Sequence, residues 1–181
     1  LTDRFGETAA MDGGVMLLGM PSDNSKNLDS GSVYVFELQA STWIETAKLA
    51  PADPQDWEVG ARFGTSVDVS GTTLVIGAPD LGNGQGTYRG AAFVLEWNGS
   101  AWAQTQELLP DDPANGNQFG YAIAIDGNTI LVGARGHKHT PPPNLEGAVY
   151  VFEKQGASWV QTQELAPSDA WNPLLFGNWV D

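Results

Sequence analysis

A chain of 181 residues is long enough for a domain with a sizeable core, and without cysteine it is held by neither disulfides nor thiolate metal sites. Its 8 Lys+Arg stand against 22 Asp+Glu, a formal net charge of −14 that repels phosphate backbones and anionic bilayers, so nucleic acid is not expected as a partner. No apolar run approaches the roughly 20 residues of a spanning helix, so membrane insertion is not expected either.

The chain opens Leu1-Thr2-Asp3-Arg4, without a Met or a leader-like stretch, and reads as mature, processed or fragmentary. Phe5-Gly6 then begins a unit of roughly 57 residues that recurs along the chain. The first unit carries an apolar run ending in glycine, Val15-Met16-Leu17-Leu18-Gly19, then Gly31-Ser32-Val33-Tyr34-Val35-Phe36, then Trp43 ahead of Leu49, and closes on Pro51-Ala52-Asp53. The second repeats these landmarks in order from Phe63-Gly64: Leu74-Val75-Ile76-Gly77, Gly90-Ala91-Ala92-Phe93-Val94-Leu95, Trp102 with Leu108, and Pro110-Asp111-Asp112. The third runs from Phe119-Gly120 through Ile130-Leu131-Val132-Gly133, Gly147-Ala148-Val149-Tyr150-Val151-Phe152, Trp159 with Leu165, and Pro167-Ser168-Asp169. Phe176-Gly177 starts the cycle again. One domain, 1–181, therefore holds repeats at 5–62, 63–118 and 119–175, with 176–181 the start of a fourth.

Each unit contains four short β-branched and aromatic segments bounded by Gly, Asn, Asp and Pro; in the second copy they fall near 65–70, 73–77, 91–97 and 102–108. Ser70-Gly71-Thr72 and Asp126-Gly127-Asn128 are tight-hairpin turns between the first two segments, and Trp97-Asn98-Gly99-Ser100 turns the third into the fourth. No stretch has helical periodicity. Four-stranded units in tandem predict an all-β chain of antiparallel propeller blades, three complete plus the first strand of a fourth. Closed propellers typically need at least about four blades, so the chain is expected to be part of a longer propeller or to be completed by self-association. The recurring Phe, Trp, Gly and Asp have packing explanations, since rings fill the space between twisted sheets and glycine admits close approach.

With these landmarks in view, the chain resembles the FG-GAP repeat family. Phe63-Gly64 and Gly77-Ala78-Pro79 carry its two name-giving elements, and Gly19-Met20-Pro21 and Gly133-Ala134-Arg135 are near matches. The pattern is similar in outline to the blades of integrin α-subunit propellers. The resemblance implies an extracellular or cell-surface scaffold for adhesion or recognition, binding on one rim. It does not carry over the family's calcium loops. Between the first two strands stand only Met11-Asp12-Gly13-Gly14, Ser70-Gly71-Thr72 and Asp126-Gly127-Asn128, too short to supply the six to eight oxygens calcium takes.

Function is expected in the loops that differ between copies, 21–30, 79–89 and 135–146, and in the connections between units. Tyr88 and Arg89 in the second loop, with Trp57 and Trp171 in the connections, are the candidate ligand-binding residues, set against the alternative that they cover the core rim. In the first loop Asp23, Ser25, Asn27 and Asp29 place oxygens at alternate positions, like the start of a calcium loop. Against that stand Lys26, Leu28 where such loops want Gly, and the absence of a closing Glu, so a solvated polar loop is the competing reading. In the third, His137 and His139 can share a metal if a further ligand arrives from elsewhere; a loop stiffened by Pro141-Pro142-Pro143 is the alternative. No cofactor is expected.

The chain lacks a Gly-x-Ser-x-Gly elbow, a His-Glu-x-x-His pair and a phosphate-cradling glycine loop, so an enzyme is not expected. The leading expectation is a non-catalytic module that binds protein or glycan. The alternatives are a structural segment of a larger propeller whose blade faces are interfaces, and the propeller part of an enzyme.

Overall fold

The structure is a computed structural model that describes residues 4–53, 58–82, 88–138, 147–167 and 176–181. Each repeat folds as one four-stranded antiparallel sheet whose strands pair in chain order. The first is β1 (Thr8–Asp12), β2 (Val15–Met20), β3 (Ser32–Gln39) and β4 (Thr42–Leu49). The second is β5 (Ser66–Ser70), β6 (Thr73–Ala78), β7 (Ala91–Trp97) and β8 (Trp102–Leu108). The third is β9 (Phe119–Asp126), β10 (Thr129–Ala134), β11 (Ala148–Gln155) and β12 (Ser158–Leu165). No helix occurs among the described residues. The architecture is that of propeller blades.

The strand-two runs are apolar on both faces, the pattern of a strand with a neighbour on either side, which the middle blade has. In the middle blade every residue of β6 is buried. Leu74 and Ile76 pack with Leu17, Val33, Val35 and Phe63 against the first blade. Val75 points the other way, into a core with Phe119, Ile130, Val132 and Tyr150 of the third. Rings seal each layer, Phe63 against Phe93 with centroids 5.5 Å apart and Phe119 against Tyr150 at 5.4 Å.

Two glycines set how closely blades stack. A Cβ on Gly77 would run into the carbonyl oxygen of Gly120 on the next blade, so only glycine fits. Gly90, at φ 79°, forms a parallel bridge with Phe119, as Gly31 does with Phe63 and Gly147 with Phe176. Apart from Gly6, which meets no neighbour, the glycines of the Phe-Gly and apolar-run-Gly landmarks are therefore backbone contacts between blades.

Two features were not apparent from the sequence. The pairing of strands three and four slips by one residue at the same place in all three blades, leaving Thr46, Thr105 and Thr162 as the extra residues of a β-bulge. Phe176 makes its bridge to Gly147, but residues 178–181 carry no strand. A first strand is held by the second strand of its own blade, as β1 is by β2, and these residues have no such neighbour.

Candidate functional site

The loops between strands two and three and the connections between blades meet on one rim, held by backbone hydrogen bonds. Gly60 N donates to Leu28 O at 2.9 Å, Arg62 N to Asp29 O at 3.1 Å and Phe63 N to Ser30 O at 2.9 Å. One blade on, Gly116 N donates to Tyr88 O at 2.8 Å and Phe119 N to Arg89 O at 3.2 Å. The residue before each of the first three Phe-Gly pairs is forced into the left-handed region: Arg4 at φ 45°, Arg62 at 59° and Gln118 at 53°. L-residues pay about 1–2 kcal/mol for that conformation. The same register puts all three long polar side chains into one cleft, with Asp29, Asp80 and Tyr88.

The cleft is tied together by hydrogen bonds. Arg62 Nη1 lies 3.4 Å from Asp80 Oδ2, and Gln118 Nε2 donates to Asp80 Oδ1 at 3.0 Å. Arg135 Nε donates to Gln118 Oε1 at 2.8 Å while its guanidinium lies over the Tyr121 ring. Of the residues picked from sequence, Tyr88 lines the cleft and is 50% exposed. Arg89 turns instead to Glu107, 3.7 Å away. Trp57, Trp171 and His139 lie outside the described residues. Arg4, Arg62 and Gln118 were missed, although their fixed place before Phe-Gly marked them.

The first loop does not gather its oxygens around a void. Asp23 is buried, and the cation facing it is Lys48, whose Nζ lies 2.6 Å from Asp23 Oδ2. Ser25 N and Oγ donate to the same carboxylate at 2.8 and 3.0 Å. Asn27 Oδ1 accepts from Leu28 N, and Asp29 N donates to Asn24 Oδ1. Burial alone would raise the Asp23 pKa, but the hydrogen bonds from Lys48 and Ser25 outweigh it and bring it to about 2.

His137 occupies the matching position in the third blade. Asp23 N, Leu81 N and His137 N donate to Met20 O, Ala78 O and Ala134 O, and their own carbonyls accept from Gly31, Gly90 and Gly147. Across the sheet, the pairs Tyr34–Lys48, Phe93–Glu107 and Tyr150–Glu164 are likewise equivalent. One structural position thus has three solutions. The first blade uses an Asp–Lys ion pair, and the second packs buried Leu81. The third presents His137 to two carboxylates, its Nε2 3.4 Å from Glu164 Oε1 and 3.6 Å from Asp112 Oδ2. The imidazole is buried. Its Nδ1 is 3.0 Å from Tyr150 Oη and 3.1 Å from Asn117 Nδ2, and Tyr150 Oη donates to Asp112 Oδ1 at 2.9 Å. Burial, then the hydrogen bond and charge of Asp112 and the charge of Glu164, push the Tyr150 phenol up, so it remains a donor.

No match was found among curated proteins. The FG-GAP repeat pattern matches residues 2–36, 43–95 and 102–152, three stretches that cover most of the chain. With the Phe-Gly and apolar-run-Gly landmarks seen as the contacts that stack its blades, the chain belongs to the FG-GAP repeat family.

Proposed function

We propose that the chain is a non-catalytic recognition module of the cell surface or exterior, which takes a glycan or a protein segment in the rim cleft. The observation that carries this reading is the convergence of Arg4, Arg62 and Gln118, each just ahead of one of three successive Phe-Gly pairs, around exposed Tyr88. Forked guanidinium and amide donors suit hydroxyl and carbonyl oxygens, and a half-exposed phenol ring stacks on a sugar face or anchors a protein contact. Strained backbone at three equivalent positions also favours a binding role over mere rim cover.

The test is a glycan array and a protein pull-down with the wild-type chain and its Tyr88→Ala and Arg62→Ala variants. Binding that falls at least about tenfold in both variants, with unchanged circular dichroism and Tm, is the expected result. Silence of the wild type in both assays, or full retention by both variants, overturns the reading.

A second reading, a segment whose blade faces are interfaces, is favoured by the outer faces. Phe5 stacks on Tyr34 and Phe36 just as Phe63 does on Phe93, yet Phe5 is 54% exposed. On the third blade Leu131 and Val151 hold the places of Leu17 and Val35, which are fully buried against the second blade. The two readings are compatible, because the rim and the faces are different surfaces.

A further inference from the structure

We propose that Asp112, His137 and Glu164 form a binding site for one divalent transition-metal ion of the zinc class. His137 Nε2 and one oxygen of each carboxylate are its ligands, and a fourth position is open to solvent. Among the described residues this is the one group of three His, Asp or Glu side chains whose ligating atoms all lie within 4.8 Å of one another.

The two distances from the imidazole fit the ion. Ligands about 2.0–2.1 Å from a tetrahedral centre stand about 3.3 Å apart. The imidazole nitrogen is already 3.4 and 3.6 Å from its two carboxylate oxygens. The surroundings fit as well. A metal-bound Nε2 requires the proton on Nδ1, where Tyr150 Oη is placed to accept it once the Asn117 amide turns its oxygen, in place of Nδ2, toward the ring; that hydroxyl in turn donates to Asp112 Oδ1. The ring is thereby oriented and Asp112 Oδ2 is turned toward the centre, the outer arrangement that metal-ligating histidines commonly keep. Asp112 is about half exposed and Glu164 about a third, so solvent reaches the open position.

Comparison with the first blade supplies the charge argument. There the strand residue of this position is Lys48, and its ammonium neutralises Asp23. In the third blade the strand residue is Glu164 and Asp112 adds a second carboxylate, so a neutral imidazole leaves two negative charges together. A divalent ion bound between them would neutralise both carboxylates, the part that Lys48 plays for Asp23. It would also fasten the connection carrying Asp112 to the loop carrying His137 and to β12. Calcium is disfavoured, since it seeks six to eight oxygens and seldom an imidazole.

The experiment titrates the full chain with Zn2+ by calorimetry at neutral pH, follows Tm with and without the ion, and records the visible spectrum with Co2+ in its place. One ion bound per chain, a raised Tm and the intense absorption of four-coordinate Co2+ are expected. Asp112→Asn and Glu164→Gln, both at accessible positions, each weaken uptake at least about tenfold. Because His137→Gln can unfold this buried corner, the two carboxylate variants decide. No uptake by the wild type overturns the proposal, as does uptake unchanged in both variants. So does His139→Ala abolishing uptake while Glu164→Gln retains it. None of these outcomes bears on ligand binding in the rim cleft.

Discussion

At the residue scale, the Asp23–Lys48 pair has a consequence for pH. The Asp23 carboxyl is held at about 2 in the fold against an ordinary value of 3.8, so its ionised form favours the folded state. That contribution is complete above about pH 4 and is lost as pH falls through 2. Lys48→Met leaves a buried carboxylate with the hydrogen bonds of Ser25 but without its cation. We expect a loss of about 1–3 kcal/mol at pH 7, less than for a fully buried pair because Lys48 is partly exposed. The gap between wild type and variant should close as pH falls from 4 to 2, read by urea unfolding across that range. A constant gap would show that the pair is not the source.

At the element scale, the recurring glycines divide into those that serve a hairpin turn and those that fit a neighbouring blade. Gly71, at φ 56°, has nothing near where a Cβ would stand, so Gly71→Ala costs only the left-handed conformation, about 1–2 kcal/mol. Gly77→Ala drives a methyl into the Gly120 carbonyl, backbone against backbone, and one blade must shift from the next. We expect at least about 3 kcal/mol, above the usual cost of overpacking, and a urea midpoint well below that of Gly71→Ala. The strands and their hairpins were legible because alternation, Gly-centred turns and repetition are local or periodic signals. The bulge was not, although Trp-x-x-Thr stands at Trp43, Trp102 and Trp159, because an extra residue shows only against its partner strand. The sites divide in the same way. Tyr88 stood out as an aromatic outside the repeat frame, and His137 as a histidine in a variable loop. Glu164, Tyr150 and Asp112 come to His137 from another strand pair and from the preceding connection. Their meeting depends on how sheets stack, and chain spacing does not encode that angle.

At the scale of the whole molecule, the outer faces of the first and third blades repeat the chemistry of the buried ones. Exposed Phe5 at one end, and Phe176 with Trp179 at the other, leave apolar surface of the kind that associates. Light scattering coupled to size exclusion should give a mass above the 19.3 kDa of one chain. Phe5→Glu should return it to the single-chain value without changing the circular dichroism. A wild-type chain that stays single at high concentration would remove the assembly reading.

The middle sheet touches both others, while among the described residues the strands of the first and third do not pack on each other. Cooperativity can therefore pass only from neighbour to neighbour, as along a short stack. Amide deuterium exchange should then be graded along the chain, slowest in β6 and β7 and faster in their counterparts on either side. Unravelling would start at the ends and travel inward.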